Sequence, residues 1–120
     1  MKKFRLKGSK VVDLTENKIK FANLELLIEY LMSYRFEQKS EIFIIDQQIL
    51  PNETFAKGSD MKAELLQMCI NYNAILIIVG DFNVGADAEL NDFVYACNNG
   101  KRMFLVEDQQ QGLELLRGIL

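Results

Sequence analysis

Ser59 has two readings in this sequence, a plain helix cap and a site of regulatory modification. It stands in Phe55-Ala56-Lys57-Gly58-Ser59-Asp60-Met61, directly before an apolar pattern with helical spacing. Its hydroxyl is therefore placed to accept from one of the unbonded amides of a helix's first turn, a cap worth roughly 1 kcal/mol. As a regulatory site it would instead be phosphorylated, with the positive helix end and Lys57 or Lys62 stabilising the added charge. Asp60 suits the helix dipole but repels a phosphoserine. Both readings fit the residues.

Two acids offer a different chemistry. Asp46 and Asp81 each end an aliphatic run, Ile42-Phe43-Ile44-Ile45 and Ile75-Leu76-Ile77-Ile78-Val79-Gly80. Open α/β sheets bind small molecules at the carboxyl ends of their strands. Two carboxylates there are enough protein ligands for Mg²⁺ with water and a substrate phosphate. The plainer reading is that each acid stops its strand and caps or solvates the loop. Phe82-Asn83-Val84 follows Asp81, and its two apolar residues around a polar one either form an exposed contact patch or fold back onto the core.

Several chemistries are excluded by composition. The chain has no histidine, which removes Ser-His-Asp and Cys-His catalysis, and two cysteines cannot complete a four-ligand zinc site. Cys69 and Cys97 fall on apolar helix faces and read as small core residues. Gly80-Asp81-Phe82-Asn83-Val84-Gly85 has neither the close glycines of a dinucleotide turn nor the lysine of a P-loop. A receiver-type phosphoacceptor lacks its paired acids. No cofactor is expected.

At 120 residues, with 49% hydrophobic and 26% charged residues, the chain suits one domain over residues 1–120. No apolar run approaches the ~20 residues of a membrane span, and Met1-Lys2-Lys3 leads into no apolar signal segment. A cytoplasmic protein without membrane contact is expected. Residues 1–20 hold seven Lys or Arg against two acids, while the net charge of the whole is −3. That basic arm lacks the interleaved aromatics of a nucleic-acid surface. Lysine guarding an edge strand accounts for it, so no nucleic-acid partner is expected.

The elements that must position these residues follow from periodicity. Phe4-Arg5-Leu6 and Val11-Val12-Asp13-Leu14 flank Lys7-Gly8-Ser9-Lys10, the loop of an antiparallel hairpin. Asn23 caps a helix with Leu24, Leu27, Ile28, Leu31 and Met32 inward, ending near Arg35-Phe36. Ile42–Ile45 is a buried strand. A loop with the only proline, Pro51, leads to a helix from Ser59 to about Tyr72. Asn73–Phe82 contains a buried central strand, since six apolar residues in unbroken succession need cover on both faces. Asp87 caps a third helix that Asn99-Gly100 ends with a left-handed stop. Met103–Val106 is the last strand, and Asp108 with Gln111 opens the last helix as a capping box. The fold class is α/β, one mixed sheet with an N-terminal antiparallel hairpin followed by αβαβαβα.

Leu76-Ile77-Ile78-Val79-Gly80-Asp81-Phe82, with Leu90-Asn91-Asp92-Phe93-Val94-Tyr95 and Asn98-Asn99-Gly100-Lys101, resembles a bacterial family named only as domain of unknown function 4180. The likeness runs from about Ile42 to Leu116, and the name implies no activity. More loosely, the element order resembles the STAS fold of anti-sigma-factor antagonists, in which a Ser or Thr begins the helix after the second long strand. Ser59 holds that place, followed by Asp60 where both patterns favour glycine. The STAS resemblance implies a non-catalytic regulatory or protein-interaction module of STAS-like topology, possessing a protein partner and existing as a monomer or homodimer. Its working residues would be Ser59, Asp60, Lys57, Asp81, Phe82 and Asn83. The alternative is a small-molecule or Mg-phosphate enzyme using Asp46 and Asp81.

Overall fold

In the computed structural model, which describes residues 1–82 and 87–120, the chain opens with a hairpin of β1 (Lys2–Leu6) and β2 (Ser9–Asp13). Its turn is tighter than the sequence suggests. Lys7 and Gly8 both take positive φ, 50° and 85°, the two-residue geometry whose twist matches that of the strands. Ser9 and Lys10 therefore already belong to β2.

Then follow α1 (Leu24–Gln38), β3 (Ile42–Asp46), a 3-10 turn (Gln47–Ile49), α2 (Met61–Asn71), β4 (Ile75–Val79), α3 (Ala88–Asn98), β5 (Met103–Val106) and α4 (Gln109–Ile119). The described residues form one five-stranded sheet in the order β1-β2-β3-β4-β5. β1 is antiparallel to β2 and the remaining pairs are parallel. None of the helices among the described residues is long and apolar enough to cross a membrane.

This strictly sequential order dictates the layers. Right-handed crossovers between successive neighbouring strands must all pass over the same face. Accordingly α1, α2 and α3 share one side, where Leu27, Leu31, Leu65, Met68, Cys69 and Cys97 meet Val12, Phe43, Ile45, Leu76, Ile78 and Leu105. Only α4 is left for the other face, where Leu116 packs with Val11, Ile42, Ile44, Ile77, Phe104 and Val106. The strand around Ile75–Val79 is thus covered on both sides as its composition requires, but it is the fourth strand of the row, and β3 holds the centre. Gly112 lets α4 lie this close. A Cβ there would come within 2.6 Å of Ile77 Cγ2.

Helix starts obey local rules. Asn23, Asp87 and Asp108 accept from the amides of Leu26, Leu90 and Gln111. Two helix ends depart from expectation. α1 runs on to Gln38 and stops on Lys39 in the left-handed region. α3 does not end in a left-handed stop: Asn99 has φ −98° and Gly100 has no positive φ. Its last turn is closed by Gly100 N–H donating to the Cys97 carbonyl. Asn98 meanwhile pins the edge strand β5, accepting from Leu105 N–H at 2.8 Å and donating to the Leu105 carbonyl at 3.0 Å. Besides Lys39 after α1, a left-handed residue follows α2: Asn73, φ 53°, before β4.

Candidate functional site

The described candidate residues follow the carboxyl ends of the parallel strands β3 and β4. β3 stops at Asp46 because its side chain turns the chain into the 3-10 segment: Oδ1 accepts from Gln48 N–H at 2.8 Å, and Oδ2 receives Lys18 Nζ at 2.6 Å. Burial opposes the charge on Asp46, but Lys18 and the Gln48 amide outweigh it and hold the acid below its ordinary range. Both carboxylate oxygens are thereby engaged. Asp46 is thus a paired cap at the close of β3. Among the described residues no group of three or more metal-ligating side chains comes together.

The β4 exit is shaped by Gln47. Its side chain lies over Gly80, where an added Cβ would run into Oε1 and stand 2.6 Å from Gln47 Cβ. The same Oε1 accepts from Asp81 N–H at 3.0 Å. Glycine is thus needed here for space and not for a left-handed backbone. Asp81 itself is exposed. Phe82 turns inward, buried in the three-helix core, and stacks edge-on against Phe55 with ring centroids 5.2 Å apart. Its ring is unavailable as an exposed contact patch, because the Phe55 loop offers it an apolar wall. Asn83, and Val84 with it, lie outside the described residues.

Ser59 stands at the entry to α2, half-buried, and its Oγ accepts from Met61 N–H at 3.2 Å. Asp60 already has helical backbone angles, φ −84° and ψ −5°, and makes no side-chain cap bond. The cap function therefore belongs to Ser59, with the helix boundary one residue later than the capping residue implies. Lys57 and Asp60 are exposed on either side.

The organising contact of this junction is one that no local pattern announces. Glu89, in the first turn of α3, accepts from Lys62 Nζ through Oε1 at 3.0 Å and from Gly58 N–H through Oε2 at 3.1 Å. Lys62 Nζ also donates to the Ser59 carbonyl at 2.9 Å. The Lys62 side chain is only 8% exposed, so its charge must be paired to stay there. Its hydrogen bond, then that of Gly58, holds the Glu89 carboxyl below its ordinary range. A carboxylate clamp on the residues flanking Ser59, Gly58 and Lys62, ties the start of α2 to the start of α3. A glutamate early in a helix looks like simple dipole complementation, and its partner lies 27 positions away, so sequence spacing could not reveal the clamp.

The chain has no imidazole to take a proton from Ser59, and the Lys62 amine of this junction is engaged with Glu89 and the Ser59 carbonyl. What the junction offers is a hydroxyl beside a helix N-terminus and a buried ammonium. A family model described as Domain of unknown function (DUF4180) matches residues 6–116. The chain belongs to that family. No curated protein matches the chain, and no solved structure does.

Proposed function

We propose that this protein is a non-catalytic bacterial regulatory or protein-interaction module. In this reading its topology is STAS-like, it works in the cytoplasm, and its protein partner is met around the α2 entry and the chain after β4. Ser59 is the switch. Lys57, Asp60 and Asp81 form the exposed rim, with Asn83 in the adjoining segment.

The observation that carries this reading is the Glu89 clamp around Ser59. A phosphate on Ser59 Oγ would present stronger acceptors to the same two donors, the Gly58 amide and the Lys62 ammonium. Lys62 is buried and cannot be left unpaired, so it exchanges one anion for the other. Glu89 is then released, and the first turn of α3 loses its tie to α2. This is a two-state element biased by one covalent change. Asp60 opposes the phosphate by like charge, an effect that solvent weakens because Asp60 is exposed. The enzymatic alternative built on Asp46 and Asp81 loses support from the Lys18 pair.

The test is affinity purification of the wild-type, Ser59→Ala and Glu89→Gln proteins from the native bacterium, with phosphosite mapping of the recovered chain. The expected result is a partner whose recovery from the Glu89→Gln and Ser59→Ala proteins differs severalfold, with phosphate on wild-type Ser59. Equal recoveries with Ser59 unmodified under every growth condition would overturn the proposal.

A further inference from the structure

At the opposite end of the sheet, where the parallel strands begin, an open cleft of about 550 Å³ gathers Lys10, Arg35, Lys39 and Arg102. Its volume falls within the ~300–1,000 Å³ of small-molecule sites. Glu41 is the one acidic side chain among the residues lining it. That carboxylate is shared between Arg35 Nη2 at 3.3 Å and Asn73 Nδ2 at 3.2 Å. Leu120 reaches the rim, with its main-chain oxygen held by Lys7 Nζ at 3.1 Å.

Cations at this end have an ordinary duty, since the carbonyl ends of helices collect here. Lys10 performs it, donating to the Gln38 carbonyl at the close of α1. The others exceed it. Among the described residues the side chains of Lys39 and Arg102 take part in no hydrogen bond or ion pair, and Arg35 Nη1 is buried with no partner. A buried guanidinium N–H without an acceptor costs free energy. Lys39 stands at the left-handed close of α1, φ 53°, and Arg102 directly before β5. The end of α1 and the start of β5 thus deliver cationic groups to one concave surface, Lys39 and Arg102 with their charges unpaired and Arg35 adding its charge from the wall, with Nη2 on Glu41 and Nη1 shielded from solvent.

We infer that this cleft binds a phosphorylated small molecule of up to about nucleotide size, the phosphate lying against Arg35, Lys39 and Arg102. The site is separate from the Ser59 junction and independent of its role. It would give the module a second input, a diffusible anion sensed at one end of the sheet while modification acts at the other.

The experiment is a two-dimensional amide NMR titration of the full chain with inorganic pyrophosphate and then ATP at constant ionic strength, against sodium chloride. Saturable shifts at Lys39, Glu41, Asn73 and Arg102, with a dissociation constant of about 1 mM or tighter, are expected for one or both ligands. Arg102→Ala should weaken binding about tenfold or more without moving the thermal midpoint. Lys39→Gln, which removes the second unpaired charge, should also weaken it. Shifts that chloride reproduces, shifts that never saturate, or wild-type affinity in Arg102→Ala would overturn the inference.

Discussion

Replacing Gly80 by alanine probes how the β4 exit is built. The new Cβ would run into Gln47 Oε1 and stand 2.6 Å from Gln47 Cβ. The amide end can rotate away, at the loss of its bond from Asp81 N–H, about 1 kcal/mol. Gln47 Cβ cannot, because it is fixed to the backbone, so the exits of β3 and β4 must part. Overpacking of this kind costs about 1–3 kcal/mol. Alanine restricts the unfolded chain and returns about 0.5–1 kcal/mol, since Gly80 has no positive φ. The net expectation is a loss of about 1–3 kcal/mol, read as a lower denaturant midpoint with an unchanged slope in urea unfolding. Because the obstacle is a single side chain, the cost of Gly80→Ala should shrink by about 1 kcal/mol or more in a Gln47→Gly background. Wild-type stability for Gly80→Ala, or an equal cost in both backgrounds, would refute the packing argument.

Two further outcomes follow from the core. Phe82→Ala should cost about 3–5 kcal/mol as a buried aromatic truncation, and a double-mutant cycle with Phe55→Ala should yield a coupling of about 0.5–1.5 kcal/mol for the stacked pair. Any partner recovered from the host should still bind whatever Phe82→Ala remains folded. Burial in the shared core pushes the Cys69 thiol up to about 12 and the Cys97 thiol up to about 11, from an ordinary 9.0. A raised pKa for these acids means that the folded state keeps the neutral form. Their stabilisation is complete below about pH 9 and is lost as pH climbs towards 11 and 12, by up to about 1.4 kcal/mol per pH unit per thiol. Unfolding measured from pH 8 to 11 should show that decline, and a Cys69→Ala/Cys97→Ala protein should show a flatter profile.

The sequence was most legible where structure is decided within a few residues. Asn23, Asp87 and Asp108 are caps because each has its acceptor three positions before an unbonded amide. The aliphatic runs of β3 and β4 betrayed their two-sided burial. Asn99-Gly100 misled because a left-handed stop is only one way to finish a helix, and α3 is finished by its own last turn and by Asn98 reaching β5. The layer arrangement was hidden until the strand order was known, after which handedness alone puts three helices on one face. Ser59 was visible as a capping hydroxyl, whereas the Glu89 clamp that gives it significance depends on residues brought together from two helices. Phe82 had an inward and an outward reading in sequence, and only the position of Phe55 decides between them. The cationic cleft was equally invisible, its residues being spread from Lys10 to Arg102.

The most direct test of the switch is an amide NMR comparison of the unmodified protein with one carrying phosphoserine at position 59. If phosphate takes Gly58 N–H and Lys62 Nζ from Glu89, the amides of Gly58, Lys62, Glu89 and Leu90 should all move, and Glu89→Gln should reproduce the change at α3 without phosphate. Changes confined to residues 57–61, with the first turn of α3 unmoved, would contradict the exchange and with it the regulatory role assigned to this junction.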